Sequence, residues 1–113
     1  MTFVTDTWPA ETCGPLSESN VRSLFAPADR YRVSRRVYDD VGNCREQTRA
    51  GQCVVLKGSV VFGSKTSQVT LRPGDVLHFP DGEYEIRVIS EEVAELIYVW
   101  DVMLSFSPET AKQ

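Results

Sequence analysis

The sequence predicts an all-β domain, an antiparallel β-barrel or jelly roll preceded by a short helical segment. Three observations carry that expectation. From Arg30 onward, apolar or alternating runs recur at intervals of roughly 8 to 12 residues. Clusters of Gly, Pro, Asn and Asp separate those runs. The chain has 113 residues, a length that suits one domain with one hydrophobic core.

Taken in order, residues 1–16 mix Thr, Pro, Glu and Gly without an apolar period and read as an arm or loop. Residues 16–25 carry Leu16, Val21, Leu24 and Phe25, the spacing of one short helix, with Ser17 or Ser19 as its cap. Ala26-Pro27-Ala28-Asp29 breaks the chain. Next comes a strand with Tyr31, Val33, Arg35 and Val37 on one face and Arg30, Arg32, Ser34 and Arg36 on the other. Arg35 is thus the charged residue on the apolar side. Asp39 to Asn43 is a turn, 44–48 an extended segment, and 49–51 a second turn. Residues 52–62 read as two strands joined by a Lys57-Gly58 kink, and 63–66 as a hairpin loop returning through 67–71. Arg72-Pro73-Gly74-Asp75 is a tight-turn signal. Short strands follow at 76–79 and 84–89, and 94–103 is a long, almost wholly apolar strand. The expected boundaries are an arm and helix over 1–29, the β-domain over 30–104 and a polar tail over 105–113.

Composition narrows the function classes. Apolar residues make up 42% and charged residues 25%, an ordinary globular balance. The net charge of −4 disfavours a nucleic-acid partner, which requires a concentrated basic surface. No apolar stretch reaches the ~18 to 20 residues that span a bilayer, so no membrane partner is expected. The N-terminus lacks the basic-then-apolar order of a signal peptide, and a cytoplasmic location is the expectation. Three cysteines, Cys13, Cys44 and Cys53, favour reduced thiols over a disulfide framework.

Residues 72–85 carry a more specific signal. Gly74, Pro80 and Gly82 stand in the register of the second cupin motif: Gly, five residues, Pro, any residue, Gly, two residues, then a metal-binding His. Upstream, Val54-Val55-Leu56-Lys57-Gly58 resembles the strand that closes the first cupin motif. Over residues 30–104 the chain therefore resembles the cupin superfamily, small single-domain members in particular, and the resemblance implies an antiparallel β-barrel.

The family's metal ligands do not carry over. The second-motif His position falls at Glu85 and the first-motif Glu position at Gly51. The His-x-His pair falls at Cys44 and Glu46, or one residue on at Arg45 and Gln47. The resemblance also implies that Cys44, Glu46, Cys53 and Glu85 face the interior. Two thiolates and two carboxylates would suit Zn²⁺ or another transition metal; the alternative is that the thiols are small core residues. A Cys44–Cys53 disulfide is a third alternative. His78, the only histidine, stands seven residues before the ligand position and reads as a structural or surface residue. As a catalytic group it would need Asp81, Glu83 or Glu85 as partner.

Arg35 has two readings, an anion clamp in the cavity or a structural partner of Asp101 or Glu85. Tyr98 and Trp100 alternate with Leu96 and are either core or the wall of a pocket for an aromatic or acyl ligand. The continuous apolar run around them predicts a strand buried on both faces, the second face by another subunit, hence a homodimer. The expected function is a small-molecule-binding or regulatory cupin without the usual metal site and without a cofactor. The expected ligand set is Arg35, Glu46, Tyr98 and Trp100. The alternative is an atypical enzyme of isomerase, lyase or oxygenase type, using the Cys/Glu metal set or Glu85 as acid or base.

Overall fold

The computed structural model describes residues 3–25, 30–39 and 43–101. The expected breaks at 26–29 and 40–42, the end of the last strand and the polar tail lie outside the described residues. The elements in chain order are β1 (Val4–Thr7), α1 (Ala10–Cys13), α2 (Glu18–Leu24), β2 (Tyr31–Tyr38), β3 (Asn43–Thr48) and β4 (Gly51–Lys57). They continue with β5 (Val60–Gly63), β6 (Gln68–Leu71), β7 (Asp75–Phe79), β8 (Gly82–Val88) and β9 (Ala94–Asp101). All strand pairs are antiparallel. They form a five-stranded sheet in the order β1-β7-β4-β9-β2 and a four-stranded sheet in the order β3-β8-β5-β6. The all-β expectation holds, as a two-sheet jelly roll; the sheets are not hydrogen-bonded into a closed barrel.

Strand alternation produces two apolar layers. Between the sheets lie Cys53, Val55, Leu77, Phe79, Leu96 and Tyr98 from one sheet and Val60, Phe62, Leu71, Tyr84 and Ile86 from the other. On the outer face of the five-stranded sheet, Val54, Val76, Ile97 and Val99 pack with Trp8 and Val21 of the N-terminal segment. The near-continuous apolar character of β9 follows: its even-numbered residues face the interior and its odd-numbered residues face that second layer. A partner subunit was the expected cover for this face. The chain supplies the cover itself.

The arm expected over 1–16 is structured. Residues 4–7, Val-Thr-Asp-Thr, include three β-branched side chains, and β1 pairs with β7, whose edge would otherwise stay open. Trp8 then anchors the segment, its backbone N–H donating to Gly74 O at 2.8 Å and its indole N–H to Gly14 O at 2.8 Å. In α2, Ser17 Oγ accepts the Asn20 N–H at 3.1 Å, the expected cap, and Val21 is fully buried against the sheet. The Lys57-Gly58 kink is present as a register shift between Val55 and Lys57. Gly58 has φ +74°, and a Cβ there would stand 2.7 Å from Val93 O.

Candidate functional site

Among the described residues, two places bear on the sites expected from the sequence. The first is the seam where β2, at the edge of one sheet, faces β3, at the edge of the other. Arg36 on β2 reaches Glu46 on β3 with Nη1 at 3.1 and 3.0 Å from the two carboxylate oxygens. Its guanidinium also lies over the Tyr98 ring, 6.0 Å from the centroid. Tyr98 stacks on Trp100 at 5.7 Å and 13°. The Trp100 indole N–H donates to Thr48 Oγ1 at 2.9 Å. Below this layer the Tyr38 and Tyr98 hydroxyls share a buried hydrogen bond of 2.8 Å. Cys44 Sγ is 3.6 Å from Glu46 Oε2.

These groups are held in their neutral or paired forms. Burial pushes the Tyr38 and Tyr98 hydroxyls well above the usual phenol range. Burial also raises the Cys53 thiol to about 12, and raises Cys44, with Glu46 adding to the shift. The cavity among Arg36, Glu46, Thr48, Tyr98 and Trp100 is about 10 Å³. That is at most space for one water, which needs about 10–15 Å³. Among the described residues the space between the sheets is packed chiefly by aromatic side chains: Phe62 lies near Tyr84 at 4.9 Å and Phe79 at 5.6 Å, and Phe3 closes over both Phe62 and Tyr84 at 5.8 Å.

The second place is a groove of about 370 Å³ on the outer face of the five-stranded sheet, under the N-terminal segment. Gln52 and Val54 of β4 and Val76 and His78 of β7 line it from the sheet; Trp8, Pro9, Leu24 and Phe25 line it from the segment, with Asp6 and Thr7 of β1. Gln52 and His78 are direct cross-strand partners. His78 Nε2 lies 3.5 Å from Asp6 Oδ2. Apolar walls with a few convergent polar groups, in a volume within the roughly 300–1,000 Å³ of small-molecule sites, are the usual make-up of a ligand pocket.

No protein-family model matches the sequence, and a search of the curated proteins finds no match. Solved structures do match. A DUF861-family protein from Thermotoga maritima superposes with a TM-score of 0.56 at 15% identity, over 86% of this chain and 97% of that one. A cupin-2 domain containing protein from Shewanella frigidimarina gives 0.55 at 14% identity, over 81% and 98%. A protein of unknown function from Rhizobium leguminosarum gives 0.51 at 25% identity over 59% of this chain, which spans only 65% of that relative's length. The chain has the cupin fold.

Within the cupin frame, the structure places the residues singled out in the sequence as follows. Cys44 and Glu46 pair with Ile86 and Tyr84 and share their inward face, whereas Arg45 and Gln47 take the outward positions. Glu85 does not join them. The buried neighbours Tyr84 and Ile86 take the inward positions of β8, so Glu85 faces out. It lines a 140 Å³ depression on the outer face with Arg45, Lys65 and Glu83. The one-residue difference moves the whole set of side chains to the other face. Tyr84, whose hydroxyl donates to Pro80 O, fills the interior where a Glu85 acid or base was expected.

Among the described residues no three His, Cys, Asp or Glu side chains come close enough to share a metal ion, so the Cys44, Glu46, Cys53 and Glu85 set is not assembled. All three cysteines are free thiols. Cys44 stands on β3 of one sheet and Cys53 on β4 of the other, and no Cys44–Cys53 bridge joins them. At Gly51, the family's Glu position, a Cβ would lie 2.7 Å from both Trp100 Cδ1 and Val99 O, so the indole occupies the space a carboxylate ligand would need.

Arg35 shares the face of Tyr31 and Val33, which is the outer one and not the interior that the anion-clamp reading requires. Its cross-strand partner Ile97 belongs to the outer layer, and Arg35 pairs there with Glu95 at 2.8 Å and Glu18 at 3.7 Å. Asp101 pairs with Arg30 at 3.0 Å. Tyr31 and Val33 of this face pack in the outer layer with Trp8 and Val21 of the N-terminal segment, while Val37 stays exposed. Arg36 is the arginine at the interior seam. Sequence reasoning missed Arg36, Tyr38 and Thr48 at the seam and Trp8, Gln52 and Asp6 in the groove. A tryptophan in a supposed arm was the available signal for the groove, since an exposed indole wastes a large apolar surface. His78 is a surface residue, as expected, with Asp6 in place of the acidic neighbours considered for it.

Proposed function

We propose that this cupin-fold chain binds a small organic molecule in the groove under its N-terminal segment, as a binding or regulatory protein, without a resident transition metal and without turnover. One contrast carries the proposal: about 370 Å³ of ligand-sized space outside the five-stranded sheet against about 10 Å³ at the interior seam. The buried Tyr38 and Tyr98 hydroxyls already satisfy each other, and at the partly exposed seam Arg36 is paired with Glu46. A second copy is not required to cover β9. The enzymatic alternative now rests on His78 and Asp6, whose 3.5 Å separation exceeds the 2.7–3.2 Å of a good N–H···O bond (about those limits for proteins in general). Both side chains are solvent-exposed, which favours binding over proton transfer.

The test is a fragment screen by amide shift mapping in solution, repeated on Gln52→Trp, which fills the groove from the sheet side. Binding fragments should shift the amides around Trp8, Gln52, Val54 and His78, and Gln52→Trp should abolish those shifts while melting within a few degrees of the parent. Shifts centred on Thr48, Tyr98 and Trp100 would overturn the assignment.

A further inference from the structure

We infer that the groove takes a molecule with an apolar ring body and a cationic amine head, the head being received by Asp6, Gln52 and His78. This rests on the groove reading above and adds the chemistry of its occupant. The polar lining residues are contiguous. Gln52 and His78 face each other across β4 and β7, and Asp6 Oδ2 lies 3.5 Å from His78 Nε2. The remaining space is walled by Trp8, Pro9, Leu24, Phe25, Val54 and Val76, which suits a flat apolar body.

The charge of the lining decides the head. Among the described residues that line the groove there is no Lys or Arg, and Asp6 is the one carboxylate. A primary ammonium has three donors and no acceptor. The Asp6 carboxylate and the Gln52 carbonyl oxygen accept from it, with His78 beside them as a polar wall. A carboxylate head would meet Asp6 as a like charge and leave only the Gln52 amide and one imidazole N–H to donate. Gln52 and His78 can serve as donors or acceptors, so Asp6 sets the preference. Because Asp6 is 70% exposed, the preference is of surface ion-pair size, about fivefold rather than hundredfold.

The experiment is an amide-shift titration at pH 8 with three probes that share one ring system: tryptamine, indole-3-acetamide and indole-3-acetate. Tryptamine should bind about fivefold tighter than the amide and the acetate weakest, and Asp6→Asn should bring tryptamine down to the amide's affinity. Acetate binding as tightly as tryptamine, or a tryptamine preference that survives Asp6→Asn, would overturn the cationic head while leaving the groove in place. Failure of all three probes to shift the groove amides would overturn both.

Discussion

Gly51 and Trp100 show how single residues convert a cupin interior into a packed core. The indole, held by Thr48 at 2.9 Å, lies where any side chain at position 51 would begin. Gly51→Ala should cost about 1–3 kcal/mol by overpacking, read as a lower urea midpoint with a shifted Trp100 emission. Cys53 supplies a second test. Its thiol is fully buried and held at about 12 against an ordinary 9.0, so the folded state keeps a proton that the unfolded chain loses. The associated stability is fully present below pH 9 and is lost between about 9 and 12. Urea midpoints should therefore fall across that window, and Cys53→Val should fall less steeply. Tyr38 and Tyr98, also raised by burial, act with the same sign.

At the scale of elements, the N-terminal segment is part of the fold. Val21 of α2 and Trp8 seal Ile97 and Val99, so Val21→Ala should cost roughly 2 kcal/mol in chemical denaturation. The same substitution at an unpacked arm would be silent. The strands from β3 to β9 were legible because alternation and turn residues act locally: Gly58, Pro73-Gly74 and Pro80 mark their ends in the sequence itself. The face assignment of β2 was not legible. Tyr31 and Val33 are apolar for the outer layer, while Ser34, Arg36 and Tyr38 turn inward, and alternation alone does not say which side of a sheet holds the core. The ion pair from Arg36 to Glu46 bridges the two sheets, yet both side chains are partly exposed, 44% and 25%. Its contribution should stay below about 1 kcal/mol.

For the whole molecule, the sequence resemblance carried the scaffold and misplaced one ligand position. Counting from Gly82 assigned Glu85 to the interior, whereas the alternation of β8 puts Tyr84 there, a distinction that depends on strand register and not on motif spacing. Nor was the groove legible, because it forms between residues far apart in the chain: Asp6 and Trp8, Leu24 and Phe25, Gln52, and His78. A ligand held outside the two sheets, as proposed, leaves the space between them as packed core. Elemental analysis of protein purified without chelator or affinity tag tests this most directly. Well below one transition metal per chain is the expected result. One metal per chain, lost when Cys44 and Glu46 are replaced together, would contradict it and return function to the interior.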